Sequence, residues 1–192
     1  SADADLTSAG SIGLSGYGTT TAGATSLTAA TSLSVAGTNG IAVGGNFGLY
    51  ATTTITISNA ISQSSGTLTI DTDGAVSIAD DITTSGTVSI VANDDCSGSE
   101  ATSILSGADI TAGQLTITGD IALSGGVNVG SGTLHFIEKC ETGNSIGIGG
   151  SSLTDALSID DTEISKLTLT SSGTLKFQST QGIIDVNAVV QS

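Results

Sequence analysis

A short motif made of a small residue, a glycine and an alternating strand-like run returns along this chain with a period of about 20 residues, as in repeat proteins. It reads SGTLTI at 65–70 and SGTVSI at 85–90, and it recurs as AGQLTI, SGTLHF and SGTLKF. The motif glycines are Gly66, Gly86, Gly113, Gly132 and Gly173, and their successive numbers differ by 20, 27, 19 and 41. A near-constant period of this length indicates a repeat architecture in which each unit stacks on the next. Since the last interval is close to two periods, we expect one degenerate copy near Gly150.

Apolar side chains occupy every second position after each glycine, which predicts strands with one buried face. The predicted buried ladder consists of Leu68, Ile70, Val88, Ile90, Leu115, Ile117, Leu134, Phe136, Leu175 and Phe177. The residues between these pairs form an outward column of Thr69, Ser89, Thr116, His135 and Lys176. Further short alternating runs follow the motif, bounded by Gly, Asn, Asp and Ser, so each repeat is predicted to hold three strands.

Three short strands and about 20 residues per coil predict an all-β fold, a right-handed parallel β-helix or β-solenoid. The motif glycines are expected at corners, where the chain needs a positive φ or a close backbone approach. The chain contains no proline, as expected where nearly every backbone N–H donates to a neighbouring coil. At this length we expect roughly nine to ten coils. A β-sandwich is the alternative, but it would give alternation without a constant register between repeats.

Two regions are expected along the chain. Residues 1–25 are predicted to be a low-complexity arm or the first irregular coils, and residues 26–192 a single solenoid domain. Polar insertions near 93–103 and 138–145 are expected to interrupt the coils. No apolar run approaches the length of a membrane span, and no Asn-X-Ser/Thr sequon occurs. The sequence contains no Met and no secretory leader, so we expect a mature product whose targeting segment has been removed.

The charge is strongly negative and unevenly distributed. The formal net charge is −15, which argues against a nucleic acid as partner because phosphates would be repelled. The long stretch from Leu6 to Ile70 contains no Asp, Glu, Lys, Arg or His. Exposed surfaces usually carry roughly 25–35% charged residues, so this stretch is either a neutral Ser/Thr surface or is covered by neighbouring copies. We favour the second interpretation.

Both cysteines lie in polar stretches. Cys96 stands in NDDCSGSE and Cys140 in EKCETGNS, whereas buried free thiols usually occupy apolar positions. The sequence contains no CxxC motif of the kind that would indicate a zinc site. We therefore predict a disulfide between them, and with it an oxidising, extracellular or cell-surface location.

No catalytic constellation is evident, and we predict neither an enzyme nor a cofactor. A polysaccharide lyase would need basic residues, but the chain has no Arg and only three Lys, and His135 is alone and predicted to face outward. Paired acids such as Asp80/Asp81 are more simply solvated turns than glycosidase carboxylates. Asp71 and Asp73 in DTDG are weak candidates for calcium, and no other metal site is predicted. An ice-binding protein needs a regular Thr-x-Thr ladder, which Gln114, His135 and Lys176 interrupt.

The stretch SIGIGGSSLTDALSIDDTEISKLTLTSSGTLKFQSTQGIIDV, residues 145–186, resembles the filamentous haemagglutinin-like repeats of large bacterial surface and secreted adhesins. Weaker similarity covers residues 60–136. The resemblance implies a right-handed β-helix outside the cell, in adhesion, biofilm or surface fibres. The chain departs from that family in containing cysteines and in lacking the Asn-Pro-bearing secretion domain of the two-partner type.

A β-helix without caps leaves an open coil at each end, and such a coil can pair with another copy. We therefore expect a structural subunit of an extracellular filament that forms a homopolymer end to end. Addition of an N-terminal strand to the next copy is a second mode of contact that we consider. The alternative is a segment of a surface adhesin that binds glycans or matrix. An ice-binding protein and a polysaccharide lyase are remote alternatives.

Overall fold

The computed structural model describes residues 4–15, 24–38, 40–96, 101–139, 146–149, 157–179 and 184–186. The first twelve strands are β1 (Ala4–Ser8), β2 (Ile12–Ser15), β3 (Thr25–Ala29), β4 (Ser32–Ala36), β5 (Ile41–Val43), β6 (Phe47–Ala51), β7 (Thr54–Ile57), β8 (Ile61–Gln63), β9 (Thr67–Thr72), β10 (Ala75–Ile78), β11 (Ile82–Thr84) and β12 (Thr87–Val91). They are followed by β13 (Ala101–Ile104), β14 (Asp109–Thr111), β15 (Gln114–Thr118), β16 (Asp120–Leu123), β17 (Gly126–Gly130), β18 (Thr133–Glu138), β19 (Ile146–Ile148), β20 (Leu157–Ile159), the helix α1 (Asp161–Ile164), β21 (Leu167–Leu169), β22 (Thr174–Ser179) and β23 (Ile184–Val186).

These strands form stacked parallel sheets, as expected for a β-solenoid. In the described part of the chain, sheet A has the order β1-β3-β6-β9-β12-β15-β18-β22 and contains every predicted motif strand. Sheet B has the order β16-β13-β10-β7-β4-β2, and sheet C the order β21-β17-β14-β11-β8-β5. From β3 to β18 successive strands pass from A to B to C, and from β6 onward each strand of this run pairs with the equivalent strand of the preceding coil, so the predicted three-strand coil is confirmed.

A single apolar core runs through the stack. Inward side chains lie in register columns, for example Leu49, Ile70 and Ile90, each with no solvent exposure. Leucine, isoleucine and valine suit these positions because branched side chains pack well on a pleated surface. The eight predicted ladder residues from Leu68 to Phe136 are fully buried. Leu175 is not: it lies in register with Leu134 but is 41% exposed, because β22 is the edge of sheet A. Phe177, in the next inward position, is only partly buried.

The motif glycines permit close contact between coils at one corner. A Cβ at Gly86 would overlap the carbonyl oxygen of Gly66, and a Cβ at Gly132 would overlap that of Gly113. Gly113 and Gly173 are confined in the same way, with a Cβ falling 2.5 Å or less from a backbone oxygen. Gly66 is the motif glycine with a positive φ, of 87°. Four of the five glycines are therefore required mainly by close backbone approach.

The long interval between Gly132 and Gly173 does not contain the degenerate coil expected near Gly150, which itself lies outside the described residues. β18 pairs directly with β22, so one coil of sheet A separates Gly132 from Gly173. The additional residues include β19 and β20, which belong with β23 to a further parallel sheet in the order β20-β19-β23. β20 contacts β16, which is the edge strand of sheet B. β19 precedes β20 in the chain but lies one strand farther from β16 in the stack. As a result, the described residues form eight layers of sheet A rather than nine or ten.

Residues 1–25 were predicted to form either a low-complexity arm or the first irregular coils. Residues 4–15 form β1 and β2, which pair with β3 and β4 of the same chain. The remainder of residues 1–25, apart from Ala24 and Thr25, lies outside the described residues, as do residues 97–100 and 140–145 of the two predicted insertions.

Candidate functional site at the two ends of the solenoid

The end strands have a partner on one side only in the described structure. β1, β2 and β5 form one edge of sheets A, B and C, and β22, β21 and β23 lie at the other end. The outer edge of such a strand presents backbone N–H and C=O groups without a ladder partner, which can template pairing with another strand.

The core is open at both of these edges. Leu6 of β1 lies in register with the buried Leu27, yet Leu6 is 52% exposed. At the other end Leu175 is exposed, and the ring of Phe177 stacks on Phe136 at 5.6 Å between centroids, leaving its outer side partly uncovered. Among the described residues only Leu105 is another exposed large apolar side chain. Exposure of large apolar groups is therefore concentrated where the next coil would lie.

The predicted outward column lies along sheet A, where the strand pairings place its members in register. His135 lies on sheet A between Thr116 and Lys176. Burial lowers the pKa of His135, as does the neighbouring Lys176 cation, while a hydrogen bond with Gln178 raises it. The imidazole is therefore mostly neutral at pH 7. No second histidine exists in the sequence, and among the described residues no carboxylate contributes to the pKa of His135 as an orienting partner would.

The two polar insertions are joined where the structure describes them. The Lys139 ammonium forms an ion pair with the Asp94 carboxylate and also donates to the Asp94 carbonyl oxygen at 3.1 Å. Cys96 is disulfide-bonded and adopts a positive φ of 57°. Cys140 lies outside the described residues, so the Cys96–Cys140 pairing stays a prediction.

The weak calcium candidates border this ion pair. Burial raises the pKa of Asp71, and Asp94 raises it further, while the Lys139 charge lowers it and Asp73 raises it slightly. A neighbouring ammonium competes with any cation for these carboxylates. Within the described ranges no group of three or more His, Cys, Asp or Glu residues is arranged to hold a metal ion.

Several acids hold backbone groups of the next coil, a role that the sequence interpretation missed. Asp81 Oδ1 accepts from the Asp109 N–H at 2.9 Å, and Asp109 Oδ1 accepts from the Gly126 N–H at 2.8 Å. Each carboxylate lies at the start of a sheet C strand and satisfies an amide of the following coil. Asp81 and Asp109 are thus structural acceptors at a corner of the solenoid.

The helix α1 is fixed by a second set of acids. Asp160 caps its N-terminus, with Asp160 Oδ1 accepting from the Glu163 N–H at 2.9 Å and Glu163 Oε2 accepting from the Asp160 N–H at 3.1 Å. Glu163 Oε1 also accepts from the Leu123 N–H of β16 at 2.8 Å. Burial raises the pKa of Glu163, and these two backbone hydrogen bonds lower it. The Asp-x-x-Glu spacing of a capping box was the sequence signal that could have revealed this element.

No family model, curated protein or solved structure matches the chain. The likeness to haemagglutinin-like repeats therefore depends on the sequence motifs alone. The described residues include no helix with the length and apolarity needed to cross a membrane.

Proposed function

We propose that this chain is a structural subunit of an extracellular fibre that polymerises by stacking the end coil of one copy on the end coil of the next. The observation that carries the proposal is the pair of open ends, with Leu6 exposed on one edge of sheet A and Leu175 on the other. Burying a leucine side chain contributes about 1.5–3 kcal/mol. The backbone edges would add ladder hydrogen bonds of the kind already formed between the interior coils.

The parallel topology favours one mode of stacking. All strand pairs of the described sheets are parallel, so the two ends of the molecule present different surfaces. A second copy continues a parallel ladder only when its β1 end meets the β22 end of the first. Such a head-to-tail contact is not closed by twofold symmetry and generates an open filament.

Stacking of whole coils is better supported than exchange of an N-terminal arm. Residues 4–8 already pair with β3 of their own chain, and residues 12–15 pair with β4. Donation of this segment to another copy would first break those ladders. An extracellular location is supported by the disulfide at Cys96, because such bonds persist in oxidising compartments.

The proposal is tested by electron microscopy and analytical ultracentrifugation of the purified full chain. We expect unbranched filaments, and we expect the Leu6→Asp and Leu175→Asp variants to remain monomeric. Thr83→Asp is the matched control, because it adds the same charge at an exposed position on β11, which has two further strands on one side and three on the other in sheet C. Circular dichroism establishes that each variant is folded. Isolated short rods of the parent chain at all concentrations would contradict the proposal.

A further inference from the structure

One outward column of sheet A begins and ends with opposite charges. Following the observed pairings from strand to strand, the column starts at Asp5 of β1 and ends at Lys176 of β22. Its full membership is Asp5, Ser26, Gly48, Thr69, Ser89, Thr116, His135 and Lys176. Both end residues are exposed, and neither forms an ion pair with another residue in the described part of the chain.

Resting on the head-to-tail stacking proposed above, we infer that copies join in the register that continues the columns of sheet A. In this register Lys176 of one copy lies beside Asp5 of the next. Strands that pair in a parallel sheet are separated by about 4.8 Å, so the ammonium and the carboxylate can form an ion pair across the junction. The adjacent inward column then places Leu6 on the open side of Phe177.

Other registers lose one of these matches. A slip of one residue sets inward side chains against outward ones along the whole strand. A slip of two residues that sets Leu6 against Leu175 opposes Asp5 to Thr174 and Lys176 to Thr7, so neither charge meets its counterpart. Only continuation of the observed columns satisfies both the apolar contact and the charge contact.

The distribution of charge along the chain supports the same junction. Sixteen of the eighteen acids and all three lysines follow Ile70 in the sequence, whereas the residues from Leu6 to Ile70 carry no charge. Head-to-tail stacking therefore sets the acidic coils of one copy against the neutral first coils of the next. Asp5 is the one charged side chain described in those first coils, and it lies in the column that ends in a lysine.

Charge reversal on one or both sides tests the register. The Asp5→Lys variant opposes two lysines at each junction, and the Lys176→Asp variant opposes two aspartates. We expect each to raise the critical concentration for assembly about fivefold at low salt, with a smaller defect at about 1 M salt. The chain carrying both substitutions keeps the net charge of −15 and restores opposite charges, so it should assemble like the parent.

An equimolar mixture of the two single variants gives an independent readout. Every alternating junction in that mixture pairs a lysine with an aspartate, so the mixture should assemble near the parental concentration while each variant alone does not. If the parent forms filaments but neither the mixture nor the double variant recovers, the register is wrong while stacking stands. If the parent forms no filaments, the proposed function itself fails.

Cross-linking locates the register without relying on charge. Thr7 and Gln178 occupy the neighbouring outward column and would lie side by side at the junction. A chain with Thr7→Cys and Gln178→Cys should therefore form covalent ladders on oxidation, since a disulfide requires a Cα separation below about 7 Å. The control with Thr7→Cys and Thr174→Cys is offset by four residues and should not. Equal cross-linking of the two chains would overturn the inferred register.

Discussion

The interior coils and the end coils of this solenoid carry the same kind of side chain in the same column, but they differ in burial. Ile70 and Ile90 of β9 and β12 have no solvent exposure, whereas Leu6 of β1 is 52% exposed in register with the same column. Alternation therefore determines which face a side chain occupies, while a neighbouring coil determines whether it is buried. The ends behave as interior coils that lack one neighbour.

Interior and end coils should differ most in the loss of stability caused by a charged side chain in the inward column of sheet A. Ile90→Asp buries a carboxylate between two coils and should lower the free energy of unfolding by about 4 kcal/mol or more. Leu6→Asp should change it by less than about 1 kcal/mol in the monomer because that site is half exposed. Urea denaturation of both variants measures the contrast, and equal losses would remove the distinction between interior and end.

Glycine substitutions probe the same contrast through the backbone. Gly132→Ala should cost about 3 kcal/mol, because its Cβ would overlap the Gly113 carbonyl oxygen and force the coils apart. A Cβ added to Gly13 of the end strand β2 would have no other atom within 4 Å. Gly13→Ala should therefore alter the free energy of unfolding by less than about 0.5 kcal/mol. Thermal denaturation of the two variants checks the prediction. A tolerated Gly132→Ala would mean that the coils are not closely stacked at this corner.

Removing a buried hydroxyl group from the interior should change the free energy of unfolding by a smaller amount, and the sign should depend on whether that hydroxyl is hydrogen-bonded. Thr102 is fully buried, and its Oγ1 has no hydrogen-bond partner among the described residues. Thr102→Val should therefore raise the free energy of unfolding by about 1 kcal/mol. Thr72 Oγ1 accepts from the Gly74 N–H at 3.2 Å, so Thr72→Val should lower it by about 1 kcal/mol. Chemical denaturation that shows the same sign for both would contradict this account.

The smallest expected effect is a pH dependence of folding stability that arises in the acidic coils, because the neutral coils contain no Asp, Glu, Lys, Arg or His between Leu6 and Ile70. Burial raises the pKa of both Glu163 and Asp71, so the folded chain binds protons at a higher pH than the unfolded chain. Stability should therefore fall slightly as pH rises through the interval between the ordinary and the raised pKa values, and it should be regained on acidification into that interval. Both groups are only partly buried, so solvent screening keeps the effect small.

Glu163→Gln isolates this pH dependence. It removes one titrating group while keeping an oxygen that can accept from the Leu123 N–H. Unfolding measured between neutral pH and the ordinary glutamate pKa should show a shallower slope for the variant. An unchanged slope would mean that Glu163 does not titrate differently in the folded chain.

Much of the fold could be predicted because a solenoid is built from local repeats. The alternation around Leu68, Val88, Leu115 and Leu134 identified the strands of sheet A and their inward faces. The position of β19 could not be predicted. β19 precedes β20 in the chain but follows it along the stack, and this order depends on pairing with β23, far along the sequence. The corner acids were also missed, since nothing in the run from Asp80 to Asp109 indicates which amide a carboxylate will meet one coil away.

The end surfaces were predicted only in outline. Open end coils were expected for a β-helix without caps, but the exposure of Leu175 depends on its place at the edge of sheet A rather than on its motif. The charge match between Asp5 and Lys176 became visible only when seven strand pairings were followed in succession. Neither residue is distinguished by its sequence neighbours.

A helical reconstruction of the assembled chain by cryo-electron microscopy tests the central claim most directly. The account predicts one parallel sheet that continues through each junction, with β1 of one copy following β22 of the preceding copy at the strand spacing of about 4.8 Å. A filament whose copies contact each other through the sides of the solenoid, or a chain that stays monomeric with both ends solvated, would contradict it.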